Sequence, residues 1–394
     1  MSQALARVNL AAVQRNCARL RGELGEGVQL CAVVKADGYG HGLVQSARAA
    51  LAGGAGWLAV ASVEEAGELV EEAGELVEEV RAGEFAEGAQ ARLLVMGPIR
   101  SEDLEEAVSL NLDVVVWSDT YLRWVGELAA EIGRRGRVHV KLDSGMGRLG
   151  TRESEQASRI VAAASADPNI DLVGVMTHFA TADELEEEFF AEQLARFERW
   201  ARPIKQAHPQ VLVHAANSAA TLREPRAHFD MVRCGIAIYG MDPFGEDPLA
   251  RGLEPALELS SYVAEVKLCA AGQSTGYGRT FRAERDTYLA VIPIGYGDGW
   301  RRGLSNNAEV LIDGRRRPLV GTISMDSLTV DLGPDPDAQS LRDREVVLIG
   351  ARGAERITAE DVAKRLHTIN YEITCGLTPR VERLYKLDDE HWID

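Results

Sequence analysis

The sequence predicts an α/β protein in two parts, a (β/α)8 barrel of the TIM type over residues 1–241 and a mostly β domain over residues 242–394. Three observations predict it. Eight short apolar, β-branched runs alternate with amphipathic helical stretches before about residue 240, the count and length of such a barrel. After "MDPFGEDP" the texture changes to runs joined by Gly, Asp and Asn turns. The polar residues of the first part fall at the C-terminal ends of its runs, where barrels of this type carry their reactive groups.

Taken in order, Leu10, Val13, Cys17 and Leu20 recur at helical spacing. "VQLCAVVKA" then reads as the first barrel strand, and "WLAVAS", "RLLVMG", "LDVVVW", "RVHVKL", "LVGVMTH", "VLVHAAN" and "MVRCGIAIYG" read as the rest. Beyond residue 241, "SYVAEVKLCA", "TYLAVIPIGYGDGW", "AEVLIDGRRRPLV", "TISMDSLTVDLG" and "REVVLIG" read as strands, with a helix at "TAEDVAKRLH". The heptad "EAGELVE" occurs twice in tandem from Glu65 to Glu78. Its charge and spacing favour a lengthened, solvated helix, and one duplication is too short for a solenoid.

At 394 residues the chain exceeds the roughly 100 to 200 of one domain. Its 61 acidic and 43 basic residues leave a net charge of −18, which disfavours nucleic acid and anionic membrane as partners. No apolar run reaches the roughly 18 to 20 residues of a membrane span, and the start lacks a signal peptide's apolar core, so a cytoplasmic protein is expected. Five scattered cysteines, never spaced as CxxC, read as reduced thiols, with neither disulfides nor a metal site.

Reading only the strand ends gives Lys35 and Tyr39, Lys141 and Arg148, His178, Asn217 and Ser218, and Arg233 leading into Gly235. Each alone is bland: a strand-end lysine is usually solvated and a lone barrel histidine usually a hydrogen-bonded core residue. Together around one rim they are harder to dismiss. Ser218 and the segment around Gly235 follow the last two strands, where this fold often builds a phosphate cradle. A lysine on strand one facing that phosphate could form a Schiff base with a cofactor aldehyde, if burial and neighbouring cations keep its amine neutral.

Nine segments in order, "AVVKADGYGHG", "VKLDSGMGRLG", "THFATAD", "HAANSAA", "MVRCGIAIYG", "GYGRTF", "IPIGYGDGW", "GTISMD" and "TINYE", resemble those of the alanine racemases, fold-type III enzymes using pyridoxal 5′-phosphate (PLP). The resemblance runs nearly end to end. It implies that Lys35 bonds PLP and acts as the base for D-alanine, while Tyr277, supplied by a partner subunit, is the base for L-alanine. Tyr39, Ser218, Gly235, Ile236 and Tyr371 match the phosphate-holding positions, and Asn217 falls among the cofactor-binding ones. Arg148 matches the residue that meets the PLP phenolic oxygen and the substrate carboxylate. The partner's Met325 backbone also meets that carboxylate, with Tyr296 and Asp326 in the substrate-binding set. His178 matches the residue bonded to the catalytic tyrosine, His214 the support of Arg233, and Lys141 a lysine that is carbamylated in many members.

Arg233 discriminates most. Most PLP enzymes place a carboxylate at the pyridine nitrogen, which keeps that nitrogen protonated and makes the ring a strong electron sink. A guanidinium only donates, so opposite it the nitrogen stays unprotonated, which restrains side reactions and favours racemisation. Gly276 stands where serine is common, "SMD" replaces the frequent "CMD" and "HAAN" replaces "HCAN"; none removes a reactive group. A homodimer with shared sites is therefore expected, acting on alanine to supply D-alanine for peptidoglycan. The alternatives are a broader racemase that accepts serine, or less favourably a fold-type III decarboxylase, whose acidic group at the ring nitrogen is missing. A metal-dependent amidohydrolase needs an HxH pair on strand one, where this chain has Lys35.

Overall fold

The computed structural model describes residues 3–72, 91–186 and 188–387. The chain begins with β1 (Leu5–Asn9) and a helix, Leu10–Gly22. Eight parallel strands then close a barrel: β2 (Gln29–Val33), β3 (Trp57–Val60), β4 (Arg92–Val95), β5 (Asp113–Val116), β6 (Gly136–Lys141), β7 (Ile170–Met176), β8 (Leu212–His214) and β9 (Met231–Cys234). They coincide with the eight apolar runs. Parallel strands with helices outside and side chains inside are buried on both faces, so their sequences are continuous Val, Leu and Ala rather than alternating. Leu58, Leu94, Val114, Val116, Val138, Val140 and Val232 accordingly lie buried.

The chain falls into two compact units, Val13–Gly38 with Leu43–Ile238, and Met1–Ala12 with Tyr39–Gly42 and Tyr239–Asp394. The first holds the barrel. The second is built on a seven-stranded sheet containing β1, β10 (Leu257–Tyr262), β15 (Glu309–Ile312), β16 (Arg315–Pro318), β18 (Glu345–Arg352), β19 (Glu355–Ile357) and β20 (Glu382–Lys386). A three-stranded sheet orders β11 (Glu265–Cys269), β14 (Thr287–Ile292) and β17 (Leu328–Gly333), and β12 (Ser274–Thr275) pairs with β13 (Phe281–Arg282). The helix expected near the end forms at Ala359–Leu366 behind a Thr358–Asp361 capping box.

The expected strand at "TISMDSLTVDLG" forms only from Leu328. Thr322–Asp326 is instead a loop whose Ser324 and Met325 carbonyls accept from the amides of Tyr296 and Gly297. The two loops can approach because residue 295 is glycine: a Cβ there would lie 2.3 Å from the Ser324 oxygen. Of the duplicated heptad, the first copy lies in the helix Val63–Glu72, and the second lies outside the described residues from position 73.

Candidate active site

Lys35 follows β2 and opens a turn of unusual hand. Ala36, Asp37, Gly38, Tyr39 and Gly40 have φ of 54°, 53°, 59°, 55° and 84°, a left-handed helical turn. Such a conformation costs about 1–2 kcal/mol for each non-glycine residue. Hydrogen bonds offset it. The Gly38 amide donates to the Val34 carbonyl at 2.8 Å, the Ala36 amide to Glu65 Oε1 at 2.7 Å, and the Leu43 amide to Asp37 Oδ1 at 2.9 Å. Glu65 Oε2 accepts the Ala61 amide as well, so one carboxylate ties the turn to the end of β3.

Strand β6 ends in Lys141, 4% exposed. Burial first, then the charges of Arg233 and Arg148, lower its pKa from 10.5 to about 8. The following loop is held by Asp143, which accepts the Gly145 and Gly147 amides and presents Arg148 as an exposed residue. His178, after β7, has its pKa driven well below the usual 6.5 by burial and then by Arg233, Lys141, Arg148 and Lys35. Those causes place Lys35, Lys141, Arg148, His178 and Arg233 in one cationic field, and His178 is a neutral imidazole within it.

Arg233, on β9, is 2% exposed, and its contacts decide the chemistry of its neighbours. Nη1 donates to His214 Nδ1 at 2.9 Å, and Nη2 to His178 Nδ1 at 3.2 Å and to the Thr177 and Ala215 carbonyls. A guanidinium has no lone pair to offer, so both imidazoles accept at Nδ1 and keep their proton on Nε2. Burial draws the pKa of Arg233 down only to about 10, which leaves it charged at neutral pH. Its Nε–H, alone among its donor nitrogens, is buried without a partner.

Ser218 opens the short helix Ser218–Arg223, N-capped by Asn217, whose Oδ1 accepts from Ala220. Ser218 Oγ accepts the amides of Gly235 at 3.0 Å and Ala237 at 3.3 Å, so its own proton points elsewhere. Ser218 and the Gly235 and Ala237 amides thus form one polar corner after β8 and β9.

In the other unit, the Tyr39 ring lies 5.1 Å from Tyr239 and 6.0 Å from Tyr371, centroid to centroid. Tyr277, Tyr296 and Met325 are large and exposed, at 73%, 42% and 52%. The Tyr277 carbonyl accepts from Thr322 Oγ1. Gly276 has φ of 74°, and a Cβ would lie 2.9 Å from the Thr322 nitrogen, so this loop suits glycine. Asp326 pairs with Arg380 at 2.8 Å. Three residues carry no sequence signal: Glu65, and Asp113 with His139, which continue the hydrogen-bond line behind His214.

The fold and this cationic rim define a barrel enzyme with an appended β unit. Family models for the alanine racemase N-terminal domain and C-terminal domain match residues 8–243 and 256–385. The alanine racemase of Geobacillus stearothermophilus is 40% identical over 385 residues, covering 96% of this chain and 92% of that protein. Alanine racemase 1 of Bacillus subtilis is 37% identical over 384 residues, with 96% and 92% covered. The crystal structure of alanine racemase from D-cycloserine-producing Streptomyces lavendulae matches with a TM-score of 0.88 at 36% identity, covering 99% of each chain. The chain belongs to the alanine racemase family, and its activity is the isomerisation of alanine.

Proposed function

We propose that the chain racemises alanine with PLP bonded to Lys35, in a homodimer where Lys35 of one subunit and Tyr277 of the partner subunit are the two bases, supplying D-alanine for peptidoglycan. The observation that carries this is the Arg233 guanidinium, charged, with both terminal nitrogens hydrogen-bonded and its buried Nε–H left without a partner. A buried donor without a partner costs about 1–3 kcal/mol, so a polar acceptor is called for there, and a pyridine nitrogen fits. Bound PLP would supply the electron sink that makes the alanine Cα–H acidic.

The chain's own groups support the remaining roles. Inversion needs a proton removed on one face and returned on the other, hence two bases flanking one plane. His178, neutral and protonated at Nε2, is a donor suited to holding the tyrosine's oxygen as it loses its proton. The Ser218 hydroxyl, with Gly235, Ile236, Tyr39 and Tyr371, would hold the phosphate, Asn217 shaping the corner through its cap. Arg148 and the partner's Met325 backbone would take the substrate carboxylate, with Lys141, carbamylated, orienting Arg148. Tyr277, Tyr296 and Met325 exposed on one unit support a partner that covers them. Asp326 would belong to the substrate-binding set, with Arg380 as its counter-ion.

Serine adds one hydroxyl to alanine, and a tight pocket rejects so small an addition by only about 1–3 kcal/mol, so weak serine activity accompanies this reading. Four buried free thiols support a cytoplasmic setting. The test is a panel of L-amino acids assayed for D-product with a stereospecific oxidase, together with borohydride trapping of the cofactor on the Lys35 peptide. D-Alanine as principal product with label on Lys35 supports the reading; label elsewhere overturns it.

A further inference from the structure

Behind Arg233 a line of hydrogen bonds crosses the barrel interior. Arg233 Nη1 meets His214 Nδ1 at 2.9 Å, His214 Nε2 meets His139 Nδ1 at 2.8 Å, and His139 Nε2 meets Asp113 Oδ1 at 3.3 Å. None of the four residues is more than 2% exposed. The far end is anchored: Asp113 also takes ion pairs from Arg92 at 3.3 Å and Arg137 at 3.2 Å.

The ends fix the direction of the whole line. A guanidinium can only donate and a carboxylate can only accept. His214 therefore accepts at Nδ1 and donates from Nε2, and His139 accepts at Nδ1 and donates from Nε2 to Asp113. A cationic His139 would donate from both nitrogens, and His214 would then have to accept at both, which only an imidazolate can do. The line admits one proton arrangement, with both rings neutral.

The barrel is shaped to admit it. Val138 pairs with Leu172 but His139 pairs with Gly174, so β7 carries an extra residue opposite His139. A Cβ on Gly174 would lie 2.3 Å from His139 Nδ1. The bulge and the missing side chain clear the ring, and Trp57 meets it edge-on with centroids 5.7 Å apart.

We propose that Asp113 and His139 are positioning residues for Arg233: the buried carboxylate, acting through two imidazoles, holds His214 as an acceptor at Nδ1 and so fixes the guanidinium with its Nε–H aimed into the site. The inference rests on the proposed reading in that Arg233 Nε–H is what meets the cofactor ring. Its consequence for the reaction is a donor locked in register, with a KM for alanine set elsewhere.

The test begins with the PLP-loaded wild-type enzyme, 15N-labelled at histidine. Imidazole nitrogen shifts from pH 6 to 9 should show His139 and His214 both neutral and protonated at Nε2; either ring protonated at Nδ1 overturns the proposal without any variant. Asp113→Asn removes the charge that orients the line. The expected result is a shift of the His214 nitrogens, a changed pH dependence of the bound cofactor's visible absorption, and kcat down about tenfold at unchanged KM, the scale of an outer partner's loss. Arg92→Met, which removes one anchor of Asp113, should lower Tm while leaving the His214 shifts and kcat as in wild type. If Asp113→Asn lowers Tm alone and leaves shifts, spectrum and kcat unmoved, the pair is a fold-stabilising bridge and the proposal fails. A wild type that binds no PLP and forms no D-alanine sinks the proposed function instead, while the histidine shifts still decide the line's direction.

Discussion

Glu65 accepts the amide of Ala36 at 2.7 Å, one residue beyond Lys35. Its other oxygen accepts Ala61 at 2.7 Å, so a single carboxylate joins the ends of two barrel strands and pins the first residue of a left-handed turn. The strain of that turn is held in place by its surroundings, as is common where a reactive side chain must be aimed. Glu65→Gln keeps the shape but turns an amide N–H₂ toward one of the two donors. The expected cost is about 1–3 kcal/mol of stability. A small displacement of Lys35 should lower kcat by roughly a hundredfold with little change in KM. Steady-state kinetics beside a thermal melt checks both, and wild-type kcat in a destabilised protein would show that Glu65 serves the fold alone.

The reach of the sequence differs by type of feature. Lys35, Ser218 and Arg233 are legible because their chemistry is unusual at the end of an apolar run, and the barrel because eight such runs alternate with helical spacing. His139 is not, since a strand buried on both faces has no period to mark an inward polar residue. Asp113 stands first in its strand and reads as an ordinary boundary residue, its role set by Arg92 and Arg137 on neighbouring strands. The turn after Lys35 is hidden because Ala36 and Asp37 adopt positive φ without a glycine to announce it. The loop at Met325 reads as strand because its β-branched texture does not reveal the close approach at Gly295.

Tyr277→Phe removes one proposed base and leaves the other. The enantiomers of alanine have equal free energy, so the equilibrium constant is unity and kcat/KM must fall equally in both directions. The expected fall is about 10²- to 10⁴-fold, the range of a general base. The asymmetry appears in exchange: in D₂O the variant should wash out the α-proton of D-alanine with retention through Lys35, while L-alanine keeps its own. Proton NMR of each enantiomer reads this directly. Equal exchange from both would mean one base serves both faces.

Arg233→Glu tests the electronic role of the guanidinium. In the proposed site a carboxylic acid facing the ring nitrogen would donate a proton where the arginine would only share a hydrogen bond, and the substitution deprives His214 and His178 of the donor that fixes their tautomers. Racemisation should slow by about 10²- to 10³-fold, the loss seen when one oriented donor is removed. Abortive amino transfer, measured as pyruvate released from alanine, should rise above the wild-type background. Loss of racemisation with no added pyruvate would assign Arg233 to binding alone.

Burial and the Arg233 and Arg148 charges bring the pKa of Lys141 to about 8. Its ordinary value is 10.5, so the folded protein releases a proton that the unfolded chain retains between these two limits. Stability therefore rises with pH across about pH 8 to 10.5, and below pH 8 the buried ammonium costs up to about 3 kcal/mol at 1.36 kcal/mol per unit. In CO₂-free buffer Lys141→Met should accordingly raise Tm at pH 6.5 and have a smaller effect at pH 10. The same shift makes the neutral amine abundant near pH 8, and the neutral amine is the form that adds CO₂. With ¹³C-bicarbonate, a carbamate resonance should appear in wild type and be absent from Lys141→Met, and activity should fall on CO₂ removal and return when bicarbonate is restored. A wild type whose Tm difference from Lys141→Met is the same at pH 6.5 and 10 would contradict the lowered pKa, and one indifferent to bicarbonate would leave Lys141 acting as an amine.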